Sequence, residues 1–191
     1  MATRKYSSTS REQLTDALFD IAASRGLDAA SVREVATGAG VSVGAVQHHF
    51  ATKDDMFAFA FAHVVDRARA RIDAVDWSNP LEQRLVDALT QLLPLDAERD
   101  REARVMTAFA VRAANSAALS KVQRHTLQTI RADLGRALAD ANVPNAETRA
   151  TLLLAAVDGL TLDALSSADL YDAAHLTAAL TEQVRLVIGN A

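Results

Sequence analysis

Val41-Ser-Val-Gly-Ala-Val-Gln-His-His-Phe50-Ala-Thr-Lys53 decides how the chain is read. It is a short helix candidate, introduced by Gly40 and started by Ser42, with a second start signal at Thr52 directly behind it. At helical spacing Val46 and Phe50 share the inward side. Gly44, Gln47 and His48 therefore point outward, with Val43 and Ala45 flanking them at the helix start. Just upstream, Ser31 starts another short helix, and Glu34 three residues on completes the spacing of a capping box. Val32, Val35, Ala36 and Ala39 form its buried face, Gly40 makes the sharp turn and Val41 plugs the junction. A longer helix comes first, capped by Ser10 or Thr9, with Leu14, Ala17, Leu18, Ile21 and Ala22 on one face. It ends at Gly26, with Leu27 packing back. Two short helices joined by a tight glycine turn after a longer one form the helix-turn-helix pattern.

Outward from this stretch the chain stays helical. Thr52 with Asp55 again has capping-box spacing, and the helix behind it runs without a breaker to about Ala74. Asn79-Pro80 starts a helix with Leu81, Leu85, Ala88, Leu89 and Leu92 on one face, stopped by Pro94. A further helix covers Ala97 to Asn115, burying Val105, Met106, Phe109 and Ala110. Its charged string Glu98, Arg99, Asp100, Arg101, Glu102 and Arg104 is read as a solvated helix start. Residues 116–141 form a long helix, Asn145 caps the next to about Ser166, and Tyr171-Asp172 introduces the last. With 7 Gly and 3 Pro in 191 residues and 50% hydrophobic side chains, the expectation is an all-α protein of about nine helices. Residues 1–51 read as the helix-turn-helix unit, with 1–9 a flexible basic arm. Residues 52–191 read as a second unit, a helical bundle. Its last two long helices are more apolar than one copy can hide, which points to a homodimer formed through them.

Composition narrows the function. Cysteine is absent, which removes disulfides and thiolate metal sites. No apolar run nears the roughly 20 residues that cross a bilayer, and no signal-peptide core follows Met1, so a cytoplasmic location is expected. The net charge is −4, yet residues 1–53 carry six basic against five acidic side chains, and Arg4, Lys5 and Arg11 make the leading arm basic. That distribution permits DNA binding by the front end. His48, His49, His63, His125 and His175 fall into no metal-ligand spacing, and neither a Gly-x-Ser-x-Gly elbow nor a phosphate loop is present. No catalytic residue, metal or cofactor is expected.

On the helix-turn-helix, Gln47 can read a base edge, His48 a base or phosphate, and Val43 or Ala45 a thymine methyl. Ser31, Arg33 and Thr37 lie at the preceding helix, while Lys53 and the amide groups at its helix start make a phosphate seat. Phe57, Phe59 and Phe61 cannot share one helix face, because successive residues turn by about 100°. At least one looks toward the reading head or into a cavity. Asp158 and Asp163 sit within an apolar helix, where a carboxylate needs a partner or water.

The string Ala36-x-x-Ala39-Gly40-Val41-Ser42-x-Gly44-x-Val46-x-His48-His49-Phe50-x-x-Lys53 resembles the signature of the TetR family of bacterial transcriptional repressors. Leu92-Leu93-Pro94-Leu95-Asp96, the Arg104 to Ala114 helix and Val157-Asp158-Gly159-Leu160 are similar to the regulatory region of the BetI-like branch. The resemblance implies a homodimer on a palindromic double-stranded operator, released when a small-molecule effector occupies the bundle. It implies groove or base contacts at Arg33, Thr37, Val43, Gly44, Ala45, Gln47 and His48, with Ser42 at the helix start. Phosphate contacts are implied at Ser31, His49 and Lys53. The pattern departs at Gln47, where many members carry Tyr, so a base-reading amide replaces a phosphate-holding ring. It also implies that the helix behind Lys53 lines the pocket, with Phe59, His63, Leu89, Met106, Phe109, Gln128 and Asp158 as the expected lining. The alternatives are a constitutive DNA-binding regulator or activator without a ligand, a helical enzyme or carrier, and a purely structural dimerisation module.

Overall fold

The computed structural model describes residues 11–26 and 29–189. The helices are α1 (Arg11–Arg25), α2 (Val32–Gly38), α3 (Val43–His49), α4 (Lys53–Asp73), α5 (Leu81–Thr90), α6 (Ala97–Ala113), α7 (Ala117–Asp140), α8 (Ala146–Ser166) and α9 (Ala173–Ile188). Among the described residues there is no strand, and the all-α expectation of about nine helices holds. The leading arm, the Ser10 cap and Leu27 lie outside the described residues.

Side-chain caps explain most of the helix starts. Ser42, Thr52, Asp96, Ser116 and Asp172 each accept a main-chain N–H three residues on. At Thr52 the box is reciprocal, since the Asp55 carboxylate accepts the Thr52 N–H at 2.9 Å. Ser31 does accept the Glu34 N–H at 3.2 Å, but the Glu34 carboxylate turns to Arg25 at 2.5 Å instead of closing the box. Asn145 departs from its expected role too. It makes no side-chain cap bond and enters α8 through a left-handed backbone, φ +54°, a conformation Asn tolerates well.

Two apolar cores result. The upper one joins Leu14, Leu18 and Phe19 of α1, Val35, Val46 and Phe50 of the two short helices, and Met56, Phe57, Phe61 and Val64 of α4. It continues into Val105 and Phe109 of α6 and Leu119 of α7. The lower one joins α5, the end of α7, α8 and α9 around Leu85, Leu138, Leu153, Leu176 and Leu180. The reading head therefore has no core separate from α4 and α6.

The phenylalanines divide by helical phase. Phe57 and Phe61, one turn apart, are fully buried, and Phe61 stacks on Phe109 with ring centres 4.0 Å apart. Phe59 faces the reading head, 5.4 Å from Phe50. Ala110, expected inside, is exposed, because the buried stripe of α6 runs Glu102, Val105, Phe109, Ala113.

That stripe corrects the charged string as well. Glu102 is only 4% exposed and does not belong to a solvated surface. Its carboxylate accepts from Arg71 through both oxygens (3.2 and 2.5 Å) and from Arg67 Nε at 3.1 Å. Arg71 also donates to the Gln91 carbonyl at the end of α5, and Arg67 reaches Glu98. Arg101 pairs with Asp20 of α1. One acidic side chain thus fastens α4 to α6, and a neighbouring arginine fastens α6 to the head.

Candidate nucleic-acid interface

The turn between α2 and α3 is made by Gly40 at φ +66°, and the Val41 N–H returns to the Ala36 carbonyl at 2.9 Å. Gly38 lets α2 approach α1 closely, since a methyl there would meet the Ala17 side chain at 3.3 Å. Val46 and Phe50 then anchor α3 from below, both buried. What remains outside is Ser42, Val43, Gly44, Gln47 and His48, all exposed, with Ala45 and His49 half-buried beside them. Arg33 and Thr37 are exposed on α2, and Ser31 is half-buried at its start. Arg33 makes no ion pair among the described residues, while the Thr37 hydroxyl donates to the Arg33 carbonyl. His48 and His49 meet edge to face, 5.6 Å apart. The fold leaves the expected reading residues of α2 and α3 exposed or half-exposed, none of them in the core.

Gly44 is informative because nothing inside demands it. An added methyl would meet only the Ser42 hydroxyl, at an ordinary 3.8 Å. Glycine inside a helix is destabilising by about 1 kcal/mol relative to alanine, so its value lies in how closely α3 lets another surface approach. Gly44→Leu is therefore expected to keep or raise Tm while weakening duplex binding at least ~10-fold. Thermal melting and duplex titration of the same sample check both.

Lys53 sits at the other rim, its amine 5.2 Å from the Phe57 ring centre, with the Arg112 guanidinium at 5.1 Å from the same ring. The α4 start leaves fewer main-chain amides open than the sequence suggests. The amides of Thr52 and Asp55 are engaged in the cap, and two carboxylates occupy the first turn. Asp54 is one of them, and it works inward. It accepts the Ser116 hydroxyl at 2.8 Å and Arg112 at 3.1 Å, tying α4 to the α6–α7 junction. The Ser116 hydrogen bond first, then Arg112 and Lys53, hold its carboxyl below the ordinary 3.8 against a partial opposing effect of burial. A depressed carboxyl stabilises the fold above its unfolded value and loses that contribution as pH falls through the folded one. Asp54→Asn is expected to lower stability near neutrality by about 1 kcal/mol. The gap should close as pH drops below the ordinary 3.8, which urea melts between neutral and acid pH would read.

The seven residues expected to line a pocket are distributed over α4 to α8. Phe109 belongs to the upper core and Leu89 to the lower one, while Met106 packs against the upper core from its edge. Phe59 borders a surface dip with His49, Phe50, Ala51 and Asp55. His63 lies edge-on to Phe19, 5.9 Å away, in a crevice of about 50 Å³ between α1, α4 and α6 that Asp16, Arg67, Glu98 and Arg101 also line. Gln128 and Asp158 are exposed on α7 and α8. Surrounding atoms still push the Asp158 carboxyl above its usual range, with Arg131 partly offsetting them. Sequence reading missed Glu102, whose spacing to Val105 and Phe109 places it on the same buried stripe. No group of three or more metal-ligating side chains occurs among the described residues.

Comparison with known proteins bears on the whole chain. Residues 14–59 match the family of bacterial regulatory proteins of the tetR type, and residues 81–189 match the BetI-type transcriptional repressor C-terminal family. The HTH-type transcriptional regulator PksA of Bacillus subtilis is 33% identical over 100 residues, 52% of this chain and 49% of that protein. The HTH-type transcriptional repressor KstR2 of Mycobacterium tuberculosis is 42% identical over 73 residues, 37% of this chain and 35% of that protein. The chain thus spans half or less of the length of these curated relatives. Among solved structures, a transcriptional regulator from Rhodococcus sp. Rha1 superposes with a TM-score of 0.92 at 54% identity, covering 96% of this chain and 98% of that one. A transcriptional regulator from Saccharomonospora viridis in complex with choline shares the fold, with a TM-score of 0.77 at 20% identity over 94% of this chain and 97% of that one. With more than half of its length matched by the BetI-type C-terminal family and its reading head by the tetR family, the chain belongs to the TetR family of bacterial transcriptional regulators.

Proposed function

We propose that this regulator is a cytoplasmic repressor that binds a palindromic operator as a homodimer and leaves it when a small molecule occupies the bundle. The observation that carries the reading is the outer edge of α2 and α3. There Gly44, Gln47 and His48 stand exposed on a helix whose opposite side is fixed by Val46 and Phe50. Arg33, Thr37, Ser42, Val43 and Ala45 extend the groove-facing surface, and Ser31, His49 and Lys53 flank it as phosphate contacts. Residues 1–51 serve as the DNA-binding part and 52–191 as the regulatory part.

Dimerisation is assigned to α8 and α9. Leu152 and Leu162 on α8 and Leu186 on α9 are 50, 54 and 65% exposed, and Ala155 and Gly159 lie between the two α8 leucines on the exposed side. Large apolar side chains left out on both final helices suit a second copy packing across a twofold axis. Two reading heads enter successive major grooves only when about 34–36 Å apart. An effector that favours another setting of α4 changes that distance, and its differential affinity for the two settings is the coupling, typically ~1–3 kcal/mol.

Selection of duplexes from a random pool, followed by titration at several salt concentrations, tests the assignment. An inverted repeat with half-sites one turn apart and affinity falling steeply with salt is expected. Equal affinity for every duplex, or a monomer in solution, would sink it.

A further inference from the structure

The start of α4, the end of α6 and the start of α7 meet at one point, joined by side chains from all three. Two carboxylates flank the rim lysine in the sequence there, and each is turned to a different task. Asp55 reaches back to the Thr52 N–H at 2.9 Å. Asp54 turns into the bundle. Its Oδ1 accepts Arg112 Nε and Nη2 at 3.2 and 3.1 Å, and its Oδ2 accepts the Ser116 hydroxyl at 2.8 Å. Both oxygens of Asp54 are therefore engaged by α6 and α7.

Lys53 directly precedes Asp54, and its amine lies over the same Phe57 ring as the Arg112 guanidinium, at 5.2 and 5.1 Å from the ring centre. Phe57 is fully buried, so the ring is a fixed support for both cations. The Ser116 hydrogen bond, then Arg112, then the Lys53 charge hold the Asp54 carboxyl below its ordinary value, which puts Lys53 within electrostatic reach of it. A cation suits the last turn of α6 whatever it touches, and a brace between helices would account for the ion pair alone. The brace has a second effect. A lysine ammonium is a point charge on a flexible stem, and a carboxylate one residue away competes with any phosphate for it. A carboxylate whose two oxygens are already taken competes weakly.

We infer that Arg112 is a positioning residue for DNA binding: by holding Asp54 against the bundle, it leaves the Lys53 ammonium to a phosphate. The inference rests on the reading of Lys53 as a phosphate contact. Without Arg112 the Asp54 carboxylate turns to Lys53, and a phosphate must displace an anion from the same chain. Arg112 need not reach the duplex itself.

The slope of affinity against salt counts phosphate contacts, which a mere loss of stability does not change. The full-length protein is titrated with a mixed-sequence duplex at several salt concentrations, and Lys53→Ala sets the scale with a slope flatter by about two. Arg112→Met is expected to flatten the slope by about one to two and to weaken binding at least ~5-fold at low salt. Added to Lys53→Ala, it should change the slope no further. Added to Arg112→Met, Asp54→Asn should restore the slope. Asp54→Asn alone should bind about 2–3-fold more tightly than wild type while melting lower, which keeps the test should Arg112→Met fold poorly. Additive flattening by Lys53→Ala and Arg112→Met would mean that Arg112 touches phosphate directly, and would overturn the positioning role. A wild-type slope in Arg112→Met, or weaker binding by Asp54→Asn, would overturn it as well, with the Lys53 reading intact. An unchanged slope in Lys53→Ala removes that reading first, and the inference with it.

Discussion

Replacing Glu102 by Ala is expected to destabilise the protein by about 3 kcal/mol, lowering Tm by roughly 6–12 °C. The carboxylate is 4% exposed and holds two guanidiniums, one of them through both oxygens. Removing it leaves Arg71, whose side chain is 25% exposed, with only the weaker charge interaction of Asp96 to balance it. Uncompensated charge of this kind is the large term when one member of a buried pair is deleted. Arg67 adds less, because its side chain is 40% exposed and Glu98 remains beside it. The position of the pair makes the result more than a stability measurement. It fastens α4 to α6, so Glu102→Ala should also loosen α4, seen as faster amide hydrogen exchange in its second half at a temperature where the protein is still folded. A Tm within 2 °C of wild type would show that the network is replaceable by water, contrary to the burial.

The second large effect concerns DNA. Gln47→Ala with His48→Ala is expected to weaken binding to the selected duplex by at least ~30-fold, with Tm unchanged within about 1 °C. Each well-made base contact is worth ~1–3 kcal/mol, and a dimer loses it at both half-sites. Both side chains are exposed and neither belongs to a core, which is why the fold should not respond. The salt dependence separates their roles. Loss of base contacts leaves the slope of affinity against salt nearly unchanged, whereas loss of a phosphate contact at both half-sites in Lys53→Ala should flatten it by about two. If the double variant bound as tightly as wild type, the reading surface would have to be elsewhere.

Much of this was legible in the residues because it is encoded locally. Ser42, Thr52 and Asp172 announce helix starts within four residues of sequence, and the structure puts caps on all three. The inward Val46 and Phe50 and the outward Gln47 and His48 follow from the turn angle of one helix. A pocket lining is not encoded locally, since it depends on which helices meet, and an apolar residue such as Leu89 or Phe109 has the same local pattern in either core. Glu102 was misread for a related reason. Within the run from Glu98 to Arg104 charges are dense, and density masks the phase that alone tells which one turns inward. Asn145 shows the opposite failure, a residue of the right type that serves through its backbone instead of its side chain.

The shared upper core has a consequence for how such a protein can be taken apart. Phe50 packs on Phe59, and the same cluster continues through Phe61 into Phe109. A graft that joined the first fifty or so residues to a foreign bundle would divide this cluster and separate Phe50 from Phe59. Recombination between relatives should therefore succeed only when the crossover carries α4 and the buried stripe of α6 along with the reading head, which makes the inherited unit larger than the part that touches DNA.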